Sequence, residues 1–201
     1  MTKKDRLEHE GTAKSDEPVD RHLVETRLDS SDVFSGNLLH VRRDSVLLPD
    51  GARATREYIV HPGAVMIIPR FSDDRLLMER QYRYPIGQVF IEFPAGKIDP
   101  GEDPLVAAKR ELTEETGYSA ARWSRLASMH PVISYSTERI DMFIADELTH
   151  VGTQLDDGEF IETFSTTLTE ALARLDRGEI TDSKTMIGLL LLARQAGALS
   201  A

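Results

Sequence analysis

Apolar residues along the chain follow two periods, and each predicts a kind of element. The continuous run Ala64-Val65-Met66-Ile67-Ile68-Pro69 predicts a short buried strand. Arg75 to Arg83, after an Asp-Asp turn, predicts a second, and Gln88 to Phe93 a third. Trp123 to Met129, Ile140 to Asp146 and Phe160 to Ser165 read as further strands. Ahead of these, His22 to Leu28, Val33-Phe34, Leu38 to Leu48 and Arg53 to Val60 alternate, with a turn at Pro49-Asp50-Gly51. They predict an antiparallel meander over residues 21–60.

A helical period recurs in three places. Leu105, Ala108 and Leu112 make an apolar stripe behind Asp103, an N-cap residue, and Pro104 at the first helical position. Gly117 predicts a left-handed C-terminal cap. Thr167-x-x-Glu170 is a capping box for a helix ending before Gly178. Thr181 or Asp182 caps a last helix. Its Met186, Ile187 and Leu189 to Leu191 are apolar almost all round, which predicts burial in the core or against a partner.

Composition narrows the setting. The 201 residues fit one domain, or one with a small extra one, and 40% hydrophobic with 29% charged is ordinary for a soluble protein. Residues 1–20 carry no periodicity and read as a flexible tail, followed by a β-domain over 21–60 and a main domain over 61–201. The charged start is no secretory signal, and no apolar run of ~18 residues suggests a membrane span. With no cysteine in the chain, a cytoplasmic location is expected. The net charge of −10 argues against a nucleic-acid partner.

Candidate chemistry concentrates between Gly96 and Tyr118. On a helix Glu111, Glu114 and Glu115 share one edge, where like charges repel. Such an edge either holds a divalent cation or is a solvated acidic face. The spacing decides between them: Gly96, then Glu102, then Arg110-Glu111-Leu112-x-Glu114-Glu115-x-Gly117. This stretch resembles the complete Nudix box. The resemblance implies a Mg²⁺-dependent hydrolase of nucleoside diphosphates linked to another moiety, with Mn²⁺ as a substitute. It implies an α/β fold, the Nudix α/β/α sandwich with a mixed sheet, behind a small antiparallel β N-terminal domain. By the same resemblance Glu111 and Glu115 are the main metal ligands, Glu114 joins them, and the carbonyl of Ala95 completes the site. Arg110 belongs to the catalytic set in another way. A guanidinium cannot bind Mg²⁺, but it can pair with a carboxylate and hold loop and helix rigid. Glu102 fits a structural or a peripheral metal role.

The flanks resemble the ADP-ribose pyrophosphatase branch of that family. Arg80-Gln81-Tyr82-Arg83-Tyr84-Pro85, Ile91-Glu92-Phe93-Pro94, Leu48-Pro49-Asp50-Gly51, Arg56-Glu57 and His61-Pro62-Gly63 carry this likeness. It implies a homodimer with exchanged N-terminal domains. Arg83 would clamp phosphate, and Glu57 would accept from the adenine amino group across the dimer. Arg56 stands where some relatives stack a tryptophan on adenine. Glu92 is either substrate-facing or the end of a strand. Asp156-Asp157-Gly158-Glu159 resembles the loop that carries the general base, at Glu159, with Glu114 and Glu162 as alternatives. Pro131 is a candidate marker of ADP-ribose specificity, although its surroundings depart from the Ser-Pro-Gly pattern. His22, His40, His61 and His150 show no metal spacing and read as structural or exposed. The implied reaction is hydrolysis of ADP-ribose to AMP and ribose 5-phosphate. Alternatives are another nucleoside diphosphate derivative (GDP-mannose or NADH) and a non-catalytic nucleotide sensor.

Overall fold

The computed structural model describes residues 20–152, 155 and 158–197. The expected tail and Asp156-Asp157 lie outside the described residues, Asp20 excepted.

A three-stranded antiparallel sheet comes first, in the order β1 (Thr26–Ser35), β2 (His40–Leu47), β3 (Arg53–Val60). β1 is one continuous strand that takes in Val33-Phe34, which the sequence pattern grouped with Leu38 to Leu48. Its centre, Asp29-Ser30-Ser31-Asp32, has no apolar signal because nearly all of β1 is solvent-facing. The backbone ladder to β2 carries it, with register shifts after Arg27 and Asp32. Asp44 is buried in this sheet and accepts hydrogen bonds from Ser30 and Tyr58. The end of β3 is stitched to the segment after residue 130. Ile59 N–H donates to Tyr135 O (2.8 Å), and Thr137 N–H donates to Ile59 O (3.0 Å).

The second sheet is mixed. β4 (Ala64–Arg70) lies at its centre and runs parallel to β9 (Ile140–His150). β5 (Leu76–Arg83), β6 (Gln88–Glu92), β7 (Ala95–Lys97), β8 (Tyr118–Met129) and β10 (Ile161–Thr166) join antiparallel. Alternate residues of β4 serve two cores. Ala64, Met66 and Ile68 pack with α2 (Leu168–Asp176) and α3 (Ser183–Gln195), while Val65 and Ile67 pack with α1 (Pro104–Thr116). A sheet with helices on both faces results, as expected of an α/β/α sandwich.

The helix caps follow the sequence. Asp103 accepts from Leu105 N–H at 2.9 Å, Thr167 from Glu170 N–H at 3.1 Å and Asp182 from Thr185 N–H at 2.9 Å. α3 is not buried all round: Gly188, Leu189 and Leu192 face the core, while Ile187 and Leu190 stay exposed. Among the described residues no helix is long and apolar enough to cross a membrane.

Leu112 is the pivot between fold and site, since it pins α1 to the sheet and is fully buried. Leu112→Ala is expected to cost about 2–5 kcal/mol by urea denaturation. A loss under about 1 kcal/mol would remove Leu112 from the core that positions α1.

Candidate active site

α1 is fixed at both ends before its side chains do anything. Pro104 follows the Asp103 cap, and Gly117 ends the helix at φ 72° with its N–H on Thr113 O at 2.9 Å. Ala107, Ala108 and Leu112 commit one side to the sheet. The edge beside it then carries Arg110, Glu111, Glu114 and Glu115 toward β7. Gly96 on β7 makes room for them. A Cβ there would lie 1.9–2.2 Å from the Glu111 carboxylate, so only glycine lets Glu111 lie across the strand. Glu115 Oε2 accepts Ala95 N–H at 3.0 Å.

Arg110 is the tie expected of it. Its guanidinium donates to both oxygens of Glu102 (3.1 and 3.0 Å), to Glu111 (2.8 Å), to Glu114 (3.0 Å) and to Lys97 O (3.0 Å). Glu102 also accepts Asp99 N–H, so its carboxylate closes the loop onto the helix. The Arg110 bond, then the Asp99 N–H, holds that carboxyl below its usual range.

These groups form one wall of a cavity of about 930 Å³. The facing wall comes from β5, β6 and the start of α3. Arg83 grips Glu92 with a fork, Nε and Nη2 both at 2.8 Å. Lys184 Nζ donates to the same carboxylate (2.5 Å) and to Asp182 (3.0 Å). Phe93 N–H donates to Thr185 Oγ1 at 3.1 Å. Burial alone would raise the Glu92 carboxyl, but the Arg83 bond and Lys184 outweigh it and the net shift is downward. Glu92 is therefore both a cavity residue and the end of its strand, fixed between two cations.

The sequence-predicted residues divide clearly. Arg83, Glu92, Ala95, Arg110, Glu111, Glu114, Glu115, Pro131 and Glu159 all line this cavity. Arg56 and Glu57 do not line it within one chain. Arg56 forks onto Glu25, and Glu57 pairs with Arg43. Glu162, an alternative base, is turned away and pairs with Arg80 at 3.3 Å. His61 does line the cavity, and its Nδ1 accepts Gly63 N–H.

Two site residues escaped the sequence reading. Lys184 sits inside an ordinary helix start and carries no motif of its own. Glu79 follows Leu76-Leu77-Met78 in the middle of β5, and a charge directly after a buried apolar run was its signal. It is fully buried, and neither carboxylate oxygen has a hydrogen-bond partner. Across the β5–β6 ladder it stands directly opposite Glu92. Burial and then the Glu92 charge push the Glu79 carboxyl up. Burial, then Glu79, then Glu111 push Glu115 up in the same way. Burial raises Glu111 too, against the pull of Arg110.

Among the described residues no three acids already converge as a preformed cation cage. Glu111 and Glu114 turn toward Arg110, and one Glu115 oxygen is taken by Ala95. The donor set nevertheless fits a hard divalent cation. It is all oxygen, it carries more buried carboxylates than cations to neutralise them, and Gly96 clears a cradle for Glu111.

Comparison with known proteins places this arrangement. Residues 60–187 match the NUDIX domain family, which is more than half of the 201 residues. This chain belongs to the Nudix family. Residues 25–59 of this Nudix chain match the nucleoside diphosphate sugar hydrolase N-terminal domain. It is 33% identical over 174 residues to an ADP-ribose pyrophosphatase of Bacillus subtilis, covering 86% of this chain and 94% of that protein. It is 37% identical over 173 residues to a methanol dehydrogenase activator of Bacillus methanolicus, covering 85% and 94%. The crystal structure of an ADP compounds hydrolase superposes with a TM-score of 0.78 at 26% identity, covering 87% of this chain and 95% of that one.

The raised carboxyls have a consequence for stability. In chelator, Glu79 and Glu115 keep their protons to higher pH in the folded chain than in the unfolded one, where about 4.5 applies. Folding then takes up protons, so their contribution is present at low pH and fades as pH climbs through the raised values. Tm of the metal-free protein is expected to fall from mildly acidic toward alkaline pH. A Tm rising across that window would mean these carboxyls are not held protonated.

Proposed function

We propose that this Nudix hydrolase cleaves the pyrophosphate of ADP-ribose to AMP and ribose 5-phosphate, with Mg²⁺ or Mn²⁺ as cofactor. The observation that carries the reading is the two-walled cavity. Glu111, Glu114 and Glu115 face Arg83 and Lys184 across a space suited to a nucleoside diphosphate derivative. The names of the relatives support ADP-ribose within that class, and Pro131 lines the same cavity.

In this reading Glu111, Glu114, Glu115 and the Ala95 carbonyl hold the metal. A bound divalent cation would neutralise the pyrophosphate oxygens and make its water more acidic. Arg83 meets the phosphates from the opposite wall while Glu92 and Lys184 fix its direction. Glu159 takes the proton from the attacking water. The water oxygen bonds to one phosphorus, the bridging P–O bond breaks, and the leaving phosphate carries away its electron pair. Arg110 holds loop and helix while this happens and touches no substrate atom.

Arg56 and Glu57 reach substrate only from a second copy. The reading therefore includes a homodimer with exchanged N-terminal domains. Exposed Leu28, Val33 and Phe34 on β1 and Leu39 before β2 support an interface there. We place the enzyme in the cytoplasm, in keeping with a chain that has no cysteine.

With Mg²⁺ present, a panel of ADP-ribose, GDP-mannose and NADH should release AMP fastest from ADP-ribose. Faster GMP release from GDP-mannose would overturn the choice of substrate. Glu115→Gln should lower turnover by at least about 100-fold through lost metal. For Glu159→Gln, kcat should drop about 10²–10⁴-fold while Mn²⁺ affinity stays at the wild-type value. An unchanged kcat would move the base elsewhere.

A further inference from the structure

Glu79 has no place in the reading above, yet it is fully buried and neither of its carboxylate oxygens has a hydrogen-bond partner. Five buried side-chain atoms among the described residues lack a hydrogen-bond partner, and three of them share one face of β5: both oxygens of Glu79 and Oε1 of Gln81. That face runs Glu79, Gln81, Arg83, and the last two line the cavity. Glu79 thus stands one step deeper along the same row. Its charge acts on Glu115 more strongly than that of any other residue, and it acts in turn on Arg83.

A structural role does not account for it. The preceding Leu76, Leu77 and Met78 are buried and apolar, and a buried apolar residue at 79 would complete the row without cost. A neutral carboxyl would leave a buried hydroxyl and carbonyl unpaired. An ionised one would leave a buried charge opposite Glu92 and beside Glu115. Arg83 and Lys184 relieve it only in part: their charges pull against the upward push of burial and Glu92, but both hydrogen-bond to Glu92 and neither to Glu79. What relieves an unpaired carboxylate among other carboxylates is a cation delivered on the side where the α1 acids lie.

We propose that Glu79 is a further carboxylate of the divalent-cation site, supplied by the sheet beside Glu115 of α1. The proposal rests on the metal-dependent reading of the cavity. It divides the cation site between two layers of the fold, one donor from β5 and the others from α1 and β7. Glu79 becomes a ligand to the cation or an acceptor for the water it carries, and Gln81 continues the same row of acceptors.

The test is Mn²⁺ binding to the full chain, followed by electron paramagnetic resonance and calorimetry, for wild type, Glu79→Gln, Glu79→Met and Glu115→Gln. Both Glu79 variants should bind Mn²⁺ about 10–100-fold more weakly. The metal-free Tm of Glu79→Met should equal or exceed that of wild type, because a buried carboxyl with no hydrogen-bond partner is gone. Wild-type affinity in either Glu79 variant, with Glu115→Gln impaired, would overturn the proposal and leave the α1 site standing. If the wild-type protein shows no saturable Mn²⁺ binding, the metal-dependent reading fails first and takes this one with it.

Discussion

Glu115 is buried on a helix whose inward side is already committed to the core. Leu112 and Ala108 hold α1 against β4 and β9, so Glu115 cannot swing out to water without lifting the helix. Its one protein donor among the described residues is Ala95 N–H, and after burial the charges of Glu79 and Glu111 push its carboxyl up. Everything around the cavity can be understood as a response to that placement. Arg110 draws Glu111 and Glu114 aside, Gly96 yields its Cβ position to Glu111, and Arg83 with Lys184 quiets Glu92. What is left uncompensated lies between α1 and β5, which is where the proposed divalent cation would sit.

Much of this was legible in the residues. The Asp103-Pro104 start, the Leu105-Ala108-Leu112 stripe and Gly117 define α1 through local rules, and local rules survive folding intact. The spacing from Gly96 to Glu115 also survived, because strand β7, its loop and α1 form one continuous unit. Long-range contacts were not legible. Nothing in Asp182-Ser183-Lys184-Thr185 says that it meets Glu92 and Phe93, about ninety residues away in the chain. The middle of β1 was hidden for another reason: Asp29 to Asp32 carry no apolar side chain, and a polar stretch that is almost wholly solvent-facing leaves no periodic trace. β7 escaped because three residues are too few to show a period.

Glu79 and the pair Arg56-Glu57 failed in opposite ways. Glu79 lay in plain view, but a charge within a strand reads as a solvent-facing position until the β5–β6 register puts it opposite Glu92. Arg56 and Glu57 read as substrate residues by resemblance, yet each is paired within its own sheet, with Glu25 and Arg43. A single chain therefore brings the acids of α1 to the cavity but not the residues expected to choose the base.

The bonds from α3 to β6 also set an order in time. Lys184 and Thr185 grip Glu92 and Phe93, immediately ahead of Ala95. A chain emerging from the ribosome exposes its whole acidic motif long before α3 exists. During that interval Arg83 is the only one of the two clamps on Glu92 available, and Phe93 lacks its anchor. The nascent protein thus carries the full sequence signature without a finished site, and competence arrives with the last helix.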